Sequence, residues 1–129
     1  MKTPKELRYT KTHEWIRKQE NVVVIGITDY AQHEISDIVF VELPKIGQEV
    51  IQGHAVCVVE SVKAAFDIYA PVSGTIKTIN TTLESDPSLV NRDAYGSGWF
   101  FELISIHPNE FDSLLTAEQY EEFLKQATH

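Results

Sequence analysis

The feature of this sequence that most constrains its fold is a pair of apolar runs on either side of a single lysine, Lys63. The first run is His54–Val59, and the second, Phe66–Ala70, is closed by a proline. Short apolar runs bounded by turn residues are typical of β-strands. Val62 and Ala64 flank the lysine, so no charge within one residue can pair with its ammonium group. The segment predicts a β-hairpin with Lys63 at or beside the tip of the turn.

The rest of the chain reads mainly as short strands separated by turn residues. β-Branched and aromatic residues dominate these segments, as is usual in strands. Besides the hairpin strands at 54–62 and 66–72, we predict strands at 7–10, 14–18, 22–28, 38–43, 50–51, 75–80 and 99–104. Many short strands at close spacing favour a mainly β sandwich or barrel. With 129 residues, 43% of them hydrophobic, the chain has the length of one domain, 1–129, and enough apolar residues for a core.

Helices are expected at two places. Asp29 is predicted to cap a short helix over 30–35, since a glutamine follows three residues later as in a capping box. Thr116 starts a second such pattern, which predicts a C-terminal helix packed on the sheet by an apolar face. That face consists of Tyr120, Phe123 and Leu124. Residues 108–115 are predicted to form a short turn, and residues 81–92, polar and interrupted by a proline, a loop.

The charge balance bears on the class of partner. The formal net charge is −8 and the pI is about 5.0. Nucleic acids and anionic membranes call for basic surfaces, so we expect neither as a partner. No apolar run approaches the roughly 20 residues of a membrane span, and the N-terminus resembles neither an export signal nor a transit peptide. We expect a cytoplasmic protein, or one of the mitochondrial matrix if this is a mature eukaryotic chain.

No catalytic or metal centre is evident. Cys57 is the only cysteine, which excludes an internal disulfide, and we expect it to be buried as a small hydrophobe. His54 lies three residues away on the same predicted strand, so alternation places the two on opposite faces. The five histidines lack metal-ligand spacing, and we predict no metal site. Glu60 and Asp67 flank the turn of Lys63, but without a pocket they read as solvated carboxylates.

The lysine segment resembles the lipoylation segment of the glycine cleavage system H protein family. The matching residues there are Glu60–Ala65, Asp67, Tyr69–Pro71 and Ser73–Gly74. Biotin carriers of related fold would have methionine on both sides of the lysine, whereas this chain has Val62 and Ala64. Further matching segments follow in the family's order at 9–15, 26–32, 37–44, 87, 89–91, 95–96, 98–99 and 120–124, so the resemblance covers roughly 7–124. Phe66, Ala94 and Ser97 depart from the residues usual in the family, and Phe66 bears on how the arm packs.

The resemblance implies a fold and a role. The fold is a mainly β sandwich of the lipoyl/biotinyl-carrier type (a barrel-sandwich hybrid), with a short helix after the N-terminal strands and a C-terminal helix. The role is that of a carrier and not an enzyme. In the family the lysine holds (R)-lipoate in amide linkage, which makes Lys63 the expected N6-lipoyllysine. A lipoylating ligase or transferase attaches the group.

The same resemblance implies three enzyme partners. A pyridoxal-phosphate-dependent glycine decarboxylase (P protein) loads an aminomethyl group onto the arm. A tetrahydrofolate-dependent aminomethyltransferase (T protein) removes it, and a dihydrolipoamide dehydrogenase (L protein) reoxidises the arm. Glu14 and Asp67 stand at positions resembling the arm-cleft residues of the family. We hypothesise that they hold the ammonium of the loaded arm through charge-assisted hydrogen bonds.

Three other functions compete with this one. A lipoyl domain of a 2-oxoacid dehydrogenase shares the lysine hairpin, but it is normally joined through a Pro/Ala-rich linker to an acyltransferase domain, and this sequence contains neither. A lipoyl-relay protein, which donates its lipoate to other carriers, would use the same fold. The third alternative is a structural or interaction module in which Lys63 stays unmodified.

Overall fold

The computed structural model describes residues 2–127, in which two antiparallel sheets are accompanied by short helices. The strands are β1 Arg8–Tyr9, β2 Glu14–Gln19, β3 Val22–Ile27, β4 Ile38–Glu42, β5 Glu49–Val50, β6 Ala55–Ser61, β7 Ala65–Tyr69, β8 Gly74–Ile79 and β9 Phe101–Ile104. The helices are α1 Asp29–Ile35, α2 Thr82–Ser85, α3 Leu89–Arg92, α4 Pro108–Asp112 and α5 Ala117–Ala127.

The two sheets divide the strands unequally. One sheet has six strands in the order β1-β2-β3-β9-β8-β5, and the other has three in the order β4-β6-β7. Within the described residues the two sheets stay separate and do not close into a barrel. The prediction of a mainly β sandwich, with a short helix after the N-terminal strands and a C-terminal helix, is confirmed.

One hydrophobic core joins the sheets. Val59 and Ile68 of the small sheet belong to the same buried cluster as Ile25, Phe101 and Leu103 of the large one. Full burial of one such side chain contributes about 1.5–3 kcal/mol. The hairpin β6–β7 is therefore anchored along its inner face, while its tip extends beyond the core.

Helix α1 begins one residue earlier than the sequence pattern indicated, because Thr28 and not Asp29 is its N-cap. The Thr28 hydroxyl accepts a hydrogen bond from the Ala31 N–H at 3.2 Å, and its backbone is extended. The predicted Asp29 cap is wrong. Its carboxylate lies in the first turn and accepts from the Gln32 side-chain amide at 3.4 Å and from the Lys2 backbone N–H at 3.1 Å. Thr and Asp are both good caps, so the sequence alone did not decide between neighbours.

The capping box predicted for the C-terminal helix is confirmed. The Thr116 hydroxyl accepts from the Gln119 N–H at 3.2 Å, and the Gln119 side chain accepts from the Thr116 N–H at 2.9 Å. The ring of Tyr120 stacks on that of Tyr9 in β1 at 4.8 Å. Phe123 and Leu124 pack against a second buried cluster, to which Tyr9 and Tyr120 belong, so the helix covers the edge of the large sheet as expected.

The predicted loop at 81–92 is partly wrong, since it contains the two short helices α2 and α3. Leu83 and Val90 are both 0% exposed and fix one helical turn each against the core. A polar sequence with only three aliphatic residues, Leu83, Leu89 and Val90, gave no periodic signal for these turns. The short turn predicted from Pro108, in a tail expected to be helical, is the helix α4.

Trp15 fixes the beginning of β2, where it directly follows Glu14. Its ring is fully buried, and its Nε1–H donates to the Ala94 carbonyl at 2.9 Å. The ring lies so close to Gly26 of β3 that a Cβ there would be 2.6 Å from it. Only glycine leaves room for the indole. Because successive side chains of a strand alternate, this anchoring turns Glu14 to the opposite face.

Candidate functional site

The structure places Lys63 in the four-residue turn that joins β6 to β7. The turn is closed by the Ser61 N–H, which donates to the Ala64 carbonyl at 2.9 Å. The Ser61 hydroxyl accepts from the backbone N–H groups of Lys63 at 3.1 Å and Ala64 at 3.3 Å. Serine favours turns because it can satisfy backbone donors in this way. The backbone of the tip is thus ordered by its own hydrogen bonds, and the Lys63 side chain is exposed.

The tip rests on the end of helix α1. The Val62 N–H donates to the Asp37 carbonyl at 3.2 Å, and the Lys63 ammonium donates to the Glu34 carbonyl at 3.0 Å. Cations are favoured near helix C-termini, where backbone carbonyls lack partners. In the described part of the chain no carboxylate lies within salt-bridge distance of Lys63. One exposed hydrogen bond to a carbonyl is a weak restraint, so the amine remains available for acylation.

Glu14 is the one buried carboxylic acid among the described residues, with 1% exposure. Its Oε1 accepts from the hydroxyls of Thr10 at 2.6 Å and Thr12 at 2.5 Å. Its Oε2 accepts from the Tyr69 backbone N–H at 3.3 Å. Burial raises the pKa of Glu14 from 4.5 to about 7, although these hydrogen bonds favour the ionised form and lower it. A carboxyl group that titrates near neutrality is typical of functional sites.

Asp67 lies on β7 two residues before Tyr69, whose N–H contacts Glu14. Strand alternation puts Asp67 and Tyr69 on the same face. Asp67 itself is exposed, and within the described residues no hydrogen bond joins its side chain to Glu14. The fold therefore brings Glu14 of β2 to the strand that carries Asp67, with one carboxylate buried and the other in solvent.

A cavity of about 400 Å³ adjoins the Glu14 carboxylate. Three of its lining residues are the three hydrogen-bond partners of Glu14, namely Thr10, Thr12 and Tyr69. Its remaining walls are largely apolar, including Pro71 and Leu114. Sequence reasoning missed the two threonines. The spacing Thr-x-Thr-x-Glu could have indicated them, because alternate residues of an extended chain lie on the same face.

The other candidate residues considered from the sequence are Cys57, His54 and Glu60. Cys57 is 2% exposed, which confirms the prediction that it is buried, and burial raises the pKa of its thiol so that it stays protonated. His54 and Glu60 are exposed. Over residues 2–127 no cluster of His, Cys, Asp or Glu has a geometry suited to a metal ion. A search of the same residues for a helix long and apolar enough to cross a membrane finds none.

Comparison with known proteins identifies the family. The family model described as "Glycine cleavage H-protein" matches residues 7–127. The chain belongs to the glycine cleavage H-protein family. The resemblance inferred from the lysine segment is thereby confirmed. The match begins at Leu7 and extends through the C-terminal helix.

Relatives and a solved structure of the family align with nearly the whole length of this chain. A glycine cleavage system H protein of Thermus thermophilus is 53% identical over 125 residues, which are 97% of this chain and 98% of the relative. One of Methylacidiphilum infernorum is 50% identical over 125 residues, with the same coverage. The crystal structure of a glycine cleavage system H protein from Mycobacterium marinum superposes with a TM-score of 0.84 at 34% identity, covering 98% of this chain and 99% of that one.

Proposed function

We propose that this chain is the lipoylated shuttle protein of the glycine cleavage system, with (R)-lipoate attached to Lys63 in amide linkage. Membership of the H-protein family carries the functional part of the proposal. The attachment site is supported by the exposed position of Lys63 at an ordered hairpin tip. Acylation removes the charge of the amine, and here it costs only one exposed hydrogen bond to a carbonyl.

The lipoyl group, when attached, would supply a disulfide whose sulfur takes up the aminomethyl group of glycine as carbon dioxide leaves; the methylene carbon then passes to tetrahydrofolate and the nitrogen leaves as ammonia. We infer that the protein docks in turn on glycine decarboxylase, aminomethyltransferase and dihydrolipoamide dehydrogenase, and is modified by a lipoylating ligase or transferase. The protein then acts as a carrier without a catalytic centre of its own, in the cytoplasm. A rigid tip suits this role, because tethering raises the local concentration of a reactive group at each docked active site.

Glu14, Asp67 and the adjoining cavity are the proposed shelter for the loaded protein, meaning the protein that carries the aminomethyl group. Asp67 lies four residues beyond Lys63, and four residues of chain span at most roughly 14 Å. A lysine side chain extended by a lipoyl chain spans about a dozen single bonds, or roughly 15 Å. The arm can therefore fold back along β7 to Asp67 and toward Glu14. Two carboxylates there can hold an ammonium group by charge-assisted hydrogen bonds.

The double substitution Glu14→Gln and Asp67→Asn tests this shelter. We expect the isolated loaded protein to decay about tenfold faster, because hydrogen bonds to charged groups contribute about 1.5–3 kcal/mol. The measurement is the release of ammonia and formaldehyde over time without the partner enzymes. The pair Glu84→Gln and Asp112→Asn, both exposed and outside the Glu14 cluster, makes the same charge change as a control. An unchanged lifetime in the Glu14/Asp67 variant would disprove the sheltering role.

Reconstitution distinguishes the shuttle from its alternatives. The lipoylated protein is combined with purified glycine decarboxylase, aminomethyltransferase, dihydrolipoamide dehydrogenase and tetrahydrofolate. We expect glycine-dependent reduction of NAD that requires the lipoylated chain. Transfer of lipoate to another carrier domain without support of glycine cleavage would indicate the relay function instead. If neither occurs, the shuttle proposal is wrong and the interaction module is the remaining alternative.

A further inference from the structure

The two oxygens of the Glu14 carboxylate have unequal surroundings. Oε1 receives both threonine hydroxyls, at 2.6 Å from Thr10 and 2.5 Å from Thr12. These lengths are those of hydroxyl groups that donate to an ionised carboxylate. Oε2 receives only the Tyr69 N–H, at 3.3 Å. Since each carboxylate oxygen can accept about two hydrogen bonds, Oε2 is the oxygen with acceptor capacity left.

Thr10 and Thr12 hold Oε1 in different ways. Thr12 is exposed, so its hydroxyl can donate its hydrogen bond to water instead of to Glu14. Thr10 is half-buried, and its Oγ1 also accepts from the Glu14 backbone N–H at 3.0 Å. Its own N–H donates to the Glu14 carbonyl at 3.1 Å. A threonine hydroxyl has a single proton. The Thr10 hydroxyl lies 3.2 Å from that of Thr12 but only 2.6 Å from Oε1, so the shorter contact makes Oε1 the favoured acceptor of this proton.

We propose that Thr10 is the positioning residue of Glu14: it holds Oε1 so that Oε2 is free for the cationic end of the arm, and its hydrogen bond favours the carboxylate form. This inference rests on the proposed role of Glu14 toward the loaded protein and adds a residue that the family resemblance did not indicate. Thr10 acts only through Glu14, and Thr12 assists from the solvent side.

The effect expected from removing the Thr10 hydroxyl follows from two opposing influences on the pKa of Glu14. Burial raises the pKa of its carboxyl group to about 7, and the bond from Thr10 lowers it. The neighbouring titratable groups are Cys57 of β6 and Tyr120 of α5, and burial raises the pKa of both, so they stay neutral. Without the Thr10 hydroxyl we expect the pKa of Glu14 to rise further, because a hydrogen bond to the ionised form, worth about tenfold in the acid dissociation constant, is lost. Its ionised fraction at pH 7 would then fall about fivefold.

The test compares Thr10→Val, which keeps the branched shape, with Thr10→Ser, which restores the hydroxyl. Thr81→Val is the matched control, because Thr81 is exposed and its side chain makes no capping hydrogen bond. The Glu14 side-chain carbon is followed by NMR against pH in the protein without lipoate. We expect a midpoint near 7 in the parent, Thr10→Ser and Thr81→Val proteins, and a higher midpoint in Thr10→Val.

A second readout uses the loaded protein. Its lifetime in Thr10→Val should shorten about fivefold at pH 7 and recover near pH 9, where Glu14 ionises again. A merely structural defect would not recover with pH. If valine impairs folding, Thr10→Ala repeats both measurements.

The outcomes separate the two proposals. If Glu14 titrates identically in the Thr10→Val and parent proteins, the positioning role of Thr10 is wrong, even when the Glu14/Asp67 double variant decays quickly. If that double variant decays at the parental rate while the titration shifts as expected, the sheltering function of Glu14 is wrong, although Thr10 still sets its ionisation.

Discussion

Substitution of Lys63 by arginine is expected to abolish both lipoylation and support of glycine cleavage. Arginine keeps the positive charge and can still donate to the Glu34 carbonyl that Lys63 contacts at 3.0 Å. It lacks the primary amine, however, and its guanidinium stays protonated, so it forms no amide with lipoate. The turn itself is held by Ser61 and the backbone, which leaves the fold intact in the variant. The loss should therefore be complete without loss of stability.

Intact-mass measurement after expression with lipoate and a competent lipoylating enzyme checks this expectation. The parent protein should gain one lipoyl mass, and Lys63→Arg should gain none. Lys45→Arg and Lys77→Arg, at exposed positions away from the hairpin tip, should be modified as the parent is. A lipoyl increment on Lys63→Arg would place the attachment elsewhere. An unmodified parent protein would remove the basis of the carrier function.

Substitution of Glu14 by glutamine is expected to change how stability depends on pH. The pKa of Glu14 rises from its ordinary value of 4.5 to about 7 on folding. The folded state therefore binds this proton more tightly than the unfolded state does. The stabilisation is fully present below about pH 4.5 and is lost as the pH rises through about 7. Each pH unit between the two values corresponds to about 1.4 kcal/mol, so the loss is about 3 kcal/mol.

Urea unfolding of the parent and Glu14→Gln proteins between about pH 4.5 and pH 8 measures this effect. Other carboxyl groups titrate in both proteins, so they cancel in the difference. Relative to the variant, the parent should lose about 3 kcal/mol of unfolding free energy across that range. Glu84→Gln controls for the removal of one surface charge. Parallel stability curves for parent and Glu14→Gln would show that burial does not perturb Glu14.

This cost of an ionised Glu14 bears on function. A buried carboxylate without a charged partner opposes folding at neutral pH, whereas an ammonium group from the arm would supply that partner. The same residue that weakens the unmodified protein is then favoured in the loaded one. Sites that bind or react commonly reduce stability in this way.

Local sequence patterns were sufficient to predict a structural feature where a single interaction determines it. The Lys63 hairpin followed from two apolar runs and a turn, and the second capping box from Thr116 with a glutamine three residues on. Burial of Cys57 followed from its place in an apolar run. Thr28 and Asp29 were equally suitable as the N-cap of α1. Only the position of the buried Thr28 hydroxyl in the folded protein decided which of them caps the helix.

The sequence by itself determined the strands, the exposed lysine between them and the family to which the motifs belong, because these depend on short-range spacing and residue type. The tertiary structure alone decided the state of Glu14. Its partners Thr10 and Thr12 are near in sequence, but Tyr69 is 55 residues away and comes within reach only when the fold brings the end of β7 to the start of β2. Burial, which raises the pKa of that carboxyl group, is a property of the whole core. A sequence pattern shows that a carboxylate is present, and the fold sets its charge because desolvation depends on every element packed around it.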